Sequence, residues 1–312
     1  MPEFSCRVDD DVPPELRLDR YISDHLKILS RSQIKARNLK AILNGKAVKV
    51  SRILRGGEKL ELAWAEAESH LLVPQNLPID VIYEDDRVIV VNKAQGMVVH
   101  PGAGNRQGTL ANALLYRKLN QRNVGKFDVI SGVNTRPGIV HRLDKDTSGI
   151  LIAAWDEEAH AFLSAQFKAR KVRKTYAAIV QGCPGESKGC IDKIIYRSRR
   201  NRKTFTTLES DRASGIGRRS ITYYKVVKSN GKYSLLLLRP KTGRTHQLRV
   251  HLKQLGTPVL GDPLYGRADR NFPKATLMLH SKRLCIVLPE SKKQVLFNSS
   301  LPGRFLELLC RM

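Results

Sequence analysis

With 312 residues, 41% of them apolar, the chain has material for one large core and a small satellite domain, which excludes a disordered polymer. Lys and Arg total 55 against 29 Asp and Glu, a formal charge of +26, so the surface carries a field that gathers polyanions and nucleic acid is the first partner to consider. Cys6, Cys183, Cys190, Cys285 and Cys310 form no C-x-x-C pair, and no apolar run approaches ~18 residues, so reduced thiols in a cytoplasmic protein with no membrane span are expected.

In chain order, Leu16 to Trp64 reads as a compact unit. Leu18, Ile22, Leu26 and Leu29 recur at helical spacing, and Ser30 with Gln33 forms a capping box that starts a second helix. Asn44-Gly45 and Gly56-Gly57 are turn signals, with short strands expected at Ala47 to Val50 and Lys59 to Ala63. Nine basic and no acidic residues lie between Lys27 and Arg55, a basic stripe on a domain too small for much of a core. The polar stretch around Pro74 predicts a linker at 71–77, between a first domain at 1–70, which includes an N-terminal tail, and a second at 78–312.

The second domain is strand-rich. VIYEDDRVIVV reads as a hairpin, followed by GILIAAW, KTYAAIV, and ITYYKVV joined through Asn230-Gly231 to YSLLLLRP. Helices are expected at Glu157 to Lys168 and Thr245 to Leu255, the second ended by Gly256. A mixed sheet with helices packed on it, class α+β, is the economical architecture. Between Lys168 and Lys203 there are twelve basic and two acidic residues, a stretch suited to tracking phosphates.

The densest polar cluster is GIVHRLDKDTSGILIAA at 138–154, a charged loop that runs into a core strand, which is a common way to hold reactive groups rigidly. His100, His141, His246 and His251 lack metal-ligand spacing, so no metal is expected. The D-K-D triplet at 144–146 is shared with metal-dependent glycosyltransferases. Those need a nucleotide-binding βαβ unit, and no glycine-rich fingerprint follows a strand here.

H-R-L-D-K-D-T-S-G resembles the signature of the RluA family of pseudouridine synthases. NKAQGMVVHPGAGN, RKTYAAIVQG, PKTGRTHQLRVHLKQLGTPVLGDPLYG and LMLHSKRL follow that family's segments in order, most similar to its ribosomal large-subunit pseudouridine synthase D branch. LRLDRYISDHL, SRSQIK and LNGKAVKVSRILRGGEKLEL resemble the alpha-L (ribosomal protein S-four type) RNA-binding domain. The departures are Ala94, where the family usually has proline, and a stretch of variable length around Asn134-Thr135.

The resemblance implies a mixed, largely antiparallel catalytic sheet with a small N-terminal α/β RNA-binding domain. It implies a monomeric, cofactor-free isomerase acting on structured RNA, with large-subunit ribosomal RNA or a pre-ribosomal particle as partner. It makes Asp144 the catalytic residue, as nucleophile or as base in an elimination. An aspartate kept ionised in a pocket closed by a base needs a cation beside it, and the resemblance gives that place to Arg249. Tyr176 is expected to stack on the target base. Arg142, His141 and Arg244 are expected at the substrate, and Arg31 and Lys35 of the second helix against RNA phosphates. A non-catalytic RNA-binding or ribosome-assembly protein would share the charge and the first domain, but would have no use for the intact aspartate motif.

Overall fold

The computed structural model describes residues 2–65, 72–102, 104–121, 138–209 and 217–312. The chain divides into two compact units, 1–71 and 72–312. Asn134-Thr135 and part of the expected linker lie outside the described residues.

In the first unit, a four-stranded antiparallel sheet in the order β1-β4-β2-β3 is built from β1 (Glu3–Arg7), β2 (Lys40–Leu43), β3 (Lys46–Val48) and β4 (Lys59–Ala63). The expectation of an N-terminal tail is corrected here, because β1 pairs with β4 in register from Glu3↔Ala63 to Arg7↔Lys59. The first predicted helix is also different. After α1 (Leu18–Arg20) the backbone opens into a π turn, Tyr21–His25, in which the Leu26 amide donates to the Tyr21 carbonyl. The wider turn buries both Tyr21 and Ile22, and Lys27, at φ 54°, ends it. The Ser30–Gln33 capping box then starts α2 (Arg31–Ala36) as expected, with Ser30 accepting from the Gln33 amide.

The second unit is built on a ten-stranded sheet. Its order is β10-β9-β11-β12-β8-β13-β7-β6-β5, with β14 (Gln294–Asn298) paired to β13. The strands are β5 (Asp80–Glu84), β6 (Val88–Lys93), β7 (Ser148–Ala154), β8 (Arg173–Gln181), β9 (Lys188–Arg197), β10 (Phe205–Glu209), β11 (Arg218–Ser229), β12 (Tyr233–Pro240) and β13 (Leu279–Val287). Among the described residues only β7 and β13 pair in parallel, so the sheet is mixed and largely antiparallel. Among the described residues, helices α3 (Leu110–Gln121), α4 (Glu157–Lys168), α5 (Gln247–Gln254) and α6 (Gly303–Leu309) join the sheet in an α+β unit.

Alternation along the central strands separates two cores. Ile150 and Ile152 of β7 pack with Val88 and Val90 of β6 and with Ala159 and Leu163 of α4, whereas Leu151 and Ala153 face the other way, into a cluster with Leu248 and Leu252 of α5. The basic stretch at 168–203 contains β9, whose Ile191 and Ile195 are buried while Lys188 and Arg197 at its ends are exposed.

Gly149 lies where β7 meets β13. Its φ is 110°, and a Cβ placed there would lie 2.3 Å from the Ser281 carbonyl oxygen. Gly149→Ala is therefore expected to destabilise this unit by about 2–4 kcal/mol through backbone strain and overlap. The reading is the urea midpoint, and an unchanged midpoint would contradict the strain.

Candidate active site

The loop before β7 closes one turn of its own, the Thr147 amide donating to the Asp144 carbonyl at 3.1 Å, and is otherwise held by its neighbours. Lys93, 2% exposed, directs its ammonium to the carbonyls of Ala94 (2.8 Å), Met97 (2.8 Å) and Lys145 (3.0 Å). Burial pushes its pKa down to about 8, and the nearby Asp146 and Asp144 oppose the fall. Gln95 donates to the Asp146 carbonyl at 3.0 Å and the Gly96 amide to the Lys145 carbonyl at 3.0 Å. The N-K-A-Q-G turn thus clamps the backbone on the far side of Asp144, while buried Leu143 anchors the near side.

Helix α5 supplies the counter-charge. Arg249 on its first turn is fully occupied. Nε and Nη2 make a bidentate pair with Asp262, both bonds 2.7 Å, and Nη1 donates to Asp144 Oδ2 at 3.3 Å. The Asp262 side chain has no exposure, and it also accepts the Leu264 and Tyr265 amides. Burial works against the charge on Arg249, yet Asp262 and then Asp144 carry its pKa above the ordinary arginine value. Asp262 can occupy this position because Gly261 precedes it at φ 71°, where a Cβ would lie 2.3 Å from the Thr276 carbonyl.

Asp144 lies at a cavity of about 460 Å³, large enough for a nucleoside. Tyr176, 8% exposed on β8, lines it as well, its pKa raised to about 12 by burial and further by Asp144, against a hydroxyl contact from Ser281. Arg142, His141 and Arg244 also line this cavity. The structure thus brings together six of the eight residues singled out from sequence. Arg31 and Lys35 lie on α2 of the first unit, both exposed, and Arg31 pairs with Asp19 at 3.3 Å.

His141 has a structural attachment beyond its place in the lining. Its Nε2 accepts the Ile152 amide at 3.1 Å and its ring stacks on Phe167 at 4.6 Å, so burial holds its pKa near about 3 and the ring is neutral. His251 is bonded to Ser220 and Thr222 and is likewise driven down to about 4 by burial. Predicted helix 245–255 begins later than expected. His246 takes a left-handed backbone (φ 55°), and Gln247 opens the helix by bonding Thr242, Thr222 and the Ile221 carbonyl.

Asp262, His246 and Tyr265 were not singled out from sequence as parts of the site. An aspartate between glycine and proline reads as a turn residue, and only the three-dimensional return of G-D-P-L-Y-G to α5 shows its pairing with Arg249.

Among the described residues the cavity lining holds seven Lys and Arg side chains and one carboxylate, Asp144. A polyanion entering it meets an excess of cations around a single acid, an arrangement suited to nucleic acid. Residues 87–254 match the RNA pseudouridylate synthase family. The chain is 44% identical over 301 residues to the ribosomal large subunit pseudouridine synthase D of Borreliella burgdorferi, covering 94% of this chain and 89% of that one. To the protein of the same name in Zymomonas mobilis it is 42% identical over 246 residues, 77% of this chain and 74% of that one. Its fold matches the solved structure of human RNA pseudouridylate synthase domain containing 1 with a TM-score of 0.58 at 29% identity, over 75% of this chain and 87% of that one. The chain belongs to the RNA pseudouridylate synthase family and is an isomerase acting on RNA.

Proposed function

We propose that this enzyme converts specific uridines of large-subunit ribosomal RNA to pseudouridine in the cytoplasm, with Asp144 as the catalytic residue. The observation that carries the reading is the Asp144–Arg249 pair at 3.3 Å in a cation-lined cavity of nucleoside size. The ribosomal substrate is supported by the names of the relatives from Borreliella burgdorferi and Zymomonas mobilis.

Pseudouridine formation breaks the bond between uracil N1 and the anomeric carbon, turns the freed base and rejoins it through carbon 5. Nothing is oxidised and no group is imported. Asp144 Oδ2 is held by Arg249, and among the described residues Oδ1 accepts no hydrogen bond. Oδ1 is therefore the oxygen free to attack the anomeric carbon, or to take the adjacent proton in an elimination. Arg249, neutralised by Asp262 on one edge, holds Asp144 through one nitrogen without a bidentate lock. Tyr176 is a neutral phenol at neutral pH, with its ring available to a stacked base. Because C1′ and C5 cannot be reached inside a stacked helix, the uridine is taken out of the stack, and Arg142, exposed at the rim, holds the opened RNA. The first unit captures RNA as an alpha-L type domain, with Arg31 and Lys35 against phosphates.

The phosphates beside the target uridine lie against Arg170, Lys174 and Arg244. Among the described residues no ion pair engages these three cations, although all line the cavity. Burial, and then repulsion from Arg218 and Arg170, holds Arg244 below the ordinary arginine value, a cluster that an anion would relieve. Arg244→Ala is expected to weaken RNA binding severalfold and to make the slope of log affinity against log salt shallower by about one. An unchanged slope would remove Arg244 from the phosphate track.

Mapping pseudouridine in cellular RNA with and without the protein tests the whole reading. Particular large-subunit sites should revert to uridine. Losses confined to transfer RNA would overturn the ribosomal assignment, and no loss of any site would overturn the activity in this cell.

A further inference from the structure

His246 is a buried-edge histidine in a backbone conformation that a non-glycine residue adopts at a cost of order 1–3 kcal/mol. Its surroundings fix which way its protons point. The Phe205 amide donates to Tyr265 Oη at 2.9 Å, and the same Oη lies 2.9 Å from His246 Nδ1. With one lone pair of the phenol oxygen taken by the amide, and no other acceptor for the phenol among the described residues, the Tyr265 hydroxyl donates to Nδ1. The proton of the neutral ring is then on Nε2. Burial lowers the pKa of this histidine, with Asp144 opposing, which favours that neutral ring.

Nε2 faces Asp144 Oδ2 at 3.9 Å, too far for a direct hydrogen bond. The separation has a use. Two atoms 3.9 Å apart can each lie about 2.8 Å from a third polar atom set between them. That atom must both accept a proton, from Nε2–H, and donate one, to the carboxylate. A hydroxyl does both. If Asp144 addresses the anomeric carbon, the hydroxyl on the next carbon of the sugar is the one within reach.

We propose that His246 and Asp144 together hold the ribose 2′-hydroxyl of the target uridine, with Nε2–H donating to the oxygen and Oδ2 accepting its proton, so that the choice of RNA over DNA is made at this pair. The inference rests on the reading of Asp144 as the residue that addresses C1′. Tyr265 is a positioning residue, acting through the tautomer of His246. The 2′-hydroxyl is the group by which a protein tells RNA from DNA at a given site, and this pair supplies both halves of its recognition. Oδ1 remains free for the chemistry while Oδ2 is shared between Arg249 and the sugar.

The test is a cycle of enzyme and substrate changes. A synthetic RNA stem-loop carrying a uridine mapped as modified is made with either ribose or 2′-deoxyribose at that one position. Single-turnover rates are measured for the native protein, His246→Asn and Tyr265→Phe. Asn tolerates the left-handed backbone, so the first variant keeps the start of α5. Tyr265→Phe keeps the ring beside Arg249 and removes only the hydroxyl. For the native protein, loss of the 2′-hydroxyl should slow conversion about tenfold or more, the scale of a hydrogen bond to a charged group. In His246→Asn the ribose-to-deoxyribose ratio should fall to about threefold or less, and in Tyr265→Phe it should lie between. Equal ratios in native protein and His246→Asn, or a native protein indifferent to the 2′-hydroxyl, would overturn the assignment of His246. Failure of the native protein to convert the all-ribose RNA would overturn the catalytic reading and this inference with it.

Discussion

Asp144→Asn is expected to abolish turnover, with a fall in single-turnover rate on the order of 10⁴-fold or more, the scale on which a missing nucleophile or its charged partner is felt. The change removes one oxygen and one charge and almost no volume. Arg249 does not become an unpaired buried cation, because its bidentate bond to Asp262 is untouched. The fold should therefore survive with a loss of about 1 kcal/mol or less, in contrast with the several kcal/mol that follow when a buried ion loses its only partner. RNA affinity should stay within about threefold, since the seven cations of the cavity remain. The control is Asp146→Asn. The loop is held through the Asp146 backbone carbonyl, which accepts from Gln95, and the substitution leaves that bond in place. RNA tritiated at carbon 5 of uridine reports turnover directly. Appreciable tritium release by Asp144→Asn, or its absence in a folded Asp146→Asn, would show that the wrong carboxylate has been chosen.

Local signals made much of this molecule legible before its structure. Strand β4 at Lys59–Ala63, the capping box at Ser30 and helix α4 at Glu157–Lys168 fall where pattern and capping chemistry place them. These features are decided within a few residues of chain, so the sequence that specifies them is contiguous. Strand β1 is not legible in the sequence because E-F-S-C-R is polar on one face and thinly apolar on the other, and it becomes a strand only when β4 offers an edge. The π turn at Tyr21–His25 is invisible to a search at a period of 3.6, since burying Tyr21 and Ile22 together is a demand of the packed unit.

The site shows the same division. Asp144 and Arg249 are 105 residues apart, and nothing in spacing joins them. It was the ordered series of family segments that named both, and the requirement for a cation beside an ionised aspartate that explained their pairing. Asp262 and Tyr265 stood in one of those segments without a role, because their partners are a helix and a strand that meet them only after folding. In the sequence His246 stands out only as one of several histidines without metal-ligand spacing, whereas its bond to Tyr265 and its left-handed backbone are properties of the folded turn.

Asp262→Ala should have the larger effect on the fold itself. The side chain of Arg249 is 5% exposed and that of Asp262 fully buried, so the substitution takes the bidentate partner from a buried guanidinium and leaves it the single 3.3 Å contact to Asp144. It also removes the acceptor of the Leu264 and Tyr265 amides. Breaking a buried pair in this way costs about 3–5 kcal/mol, mostly the poorly compensated charge left behind. For a unit of this size that corresponds to a fall in Tm of roughly 10 °C. Asp262→Asn keeps an acceptor for the two amides and for Arg249 Nη2 but loses the charge and the acceptor of Arg249 Nε, and should fall between Ala and the native protein. In the folded fraction of either variant, Asp144 becomes the sole carboxylate partner of Arg249, and the arginine is free to close on it from 3.3 Å. A tighter pair draws charge away from the oxygen that must react. Turnover should drop by about a hundredfold while RNA affinity stays nearly constant, the pattern of an interaction that matters in the transition state and not in binding. Thermal unfolding of the catalytic unit checks the first half and single-turnover kinetics well below the transition checks the second. A stability within about 1 kcal/mol of native would mean that Arg249 finds another anion or reaches water, and that Asp262 does not hold it.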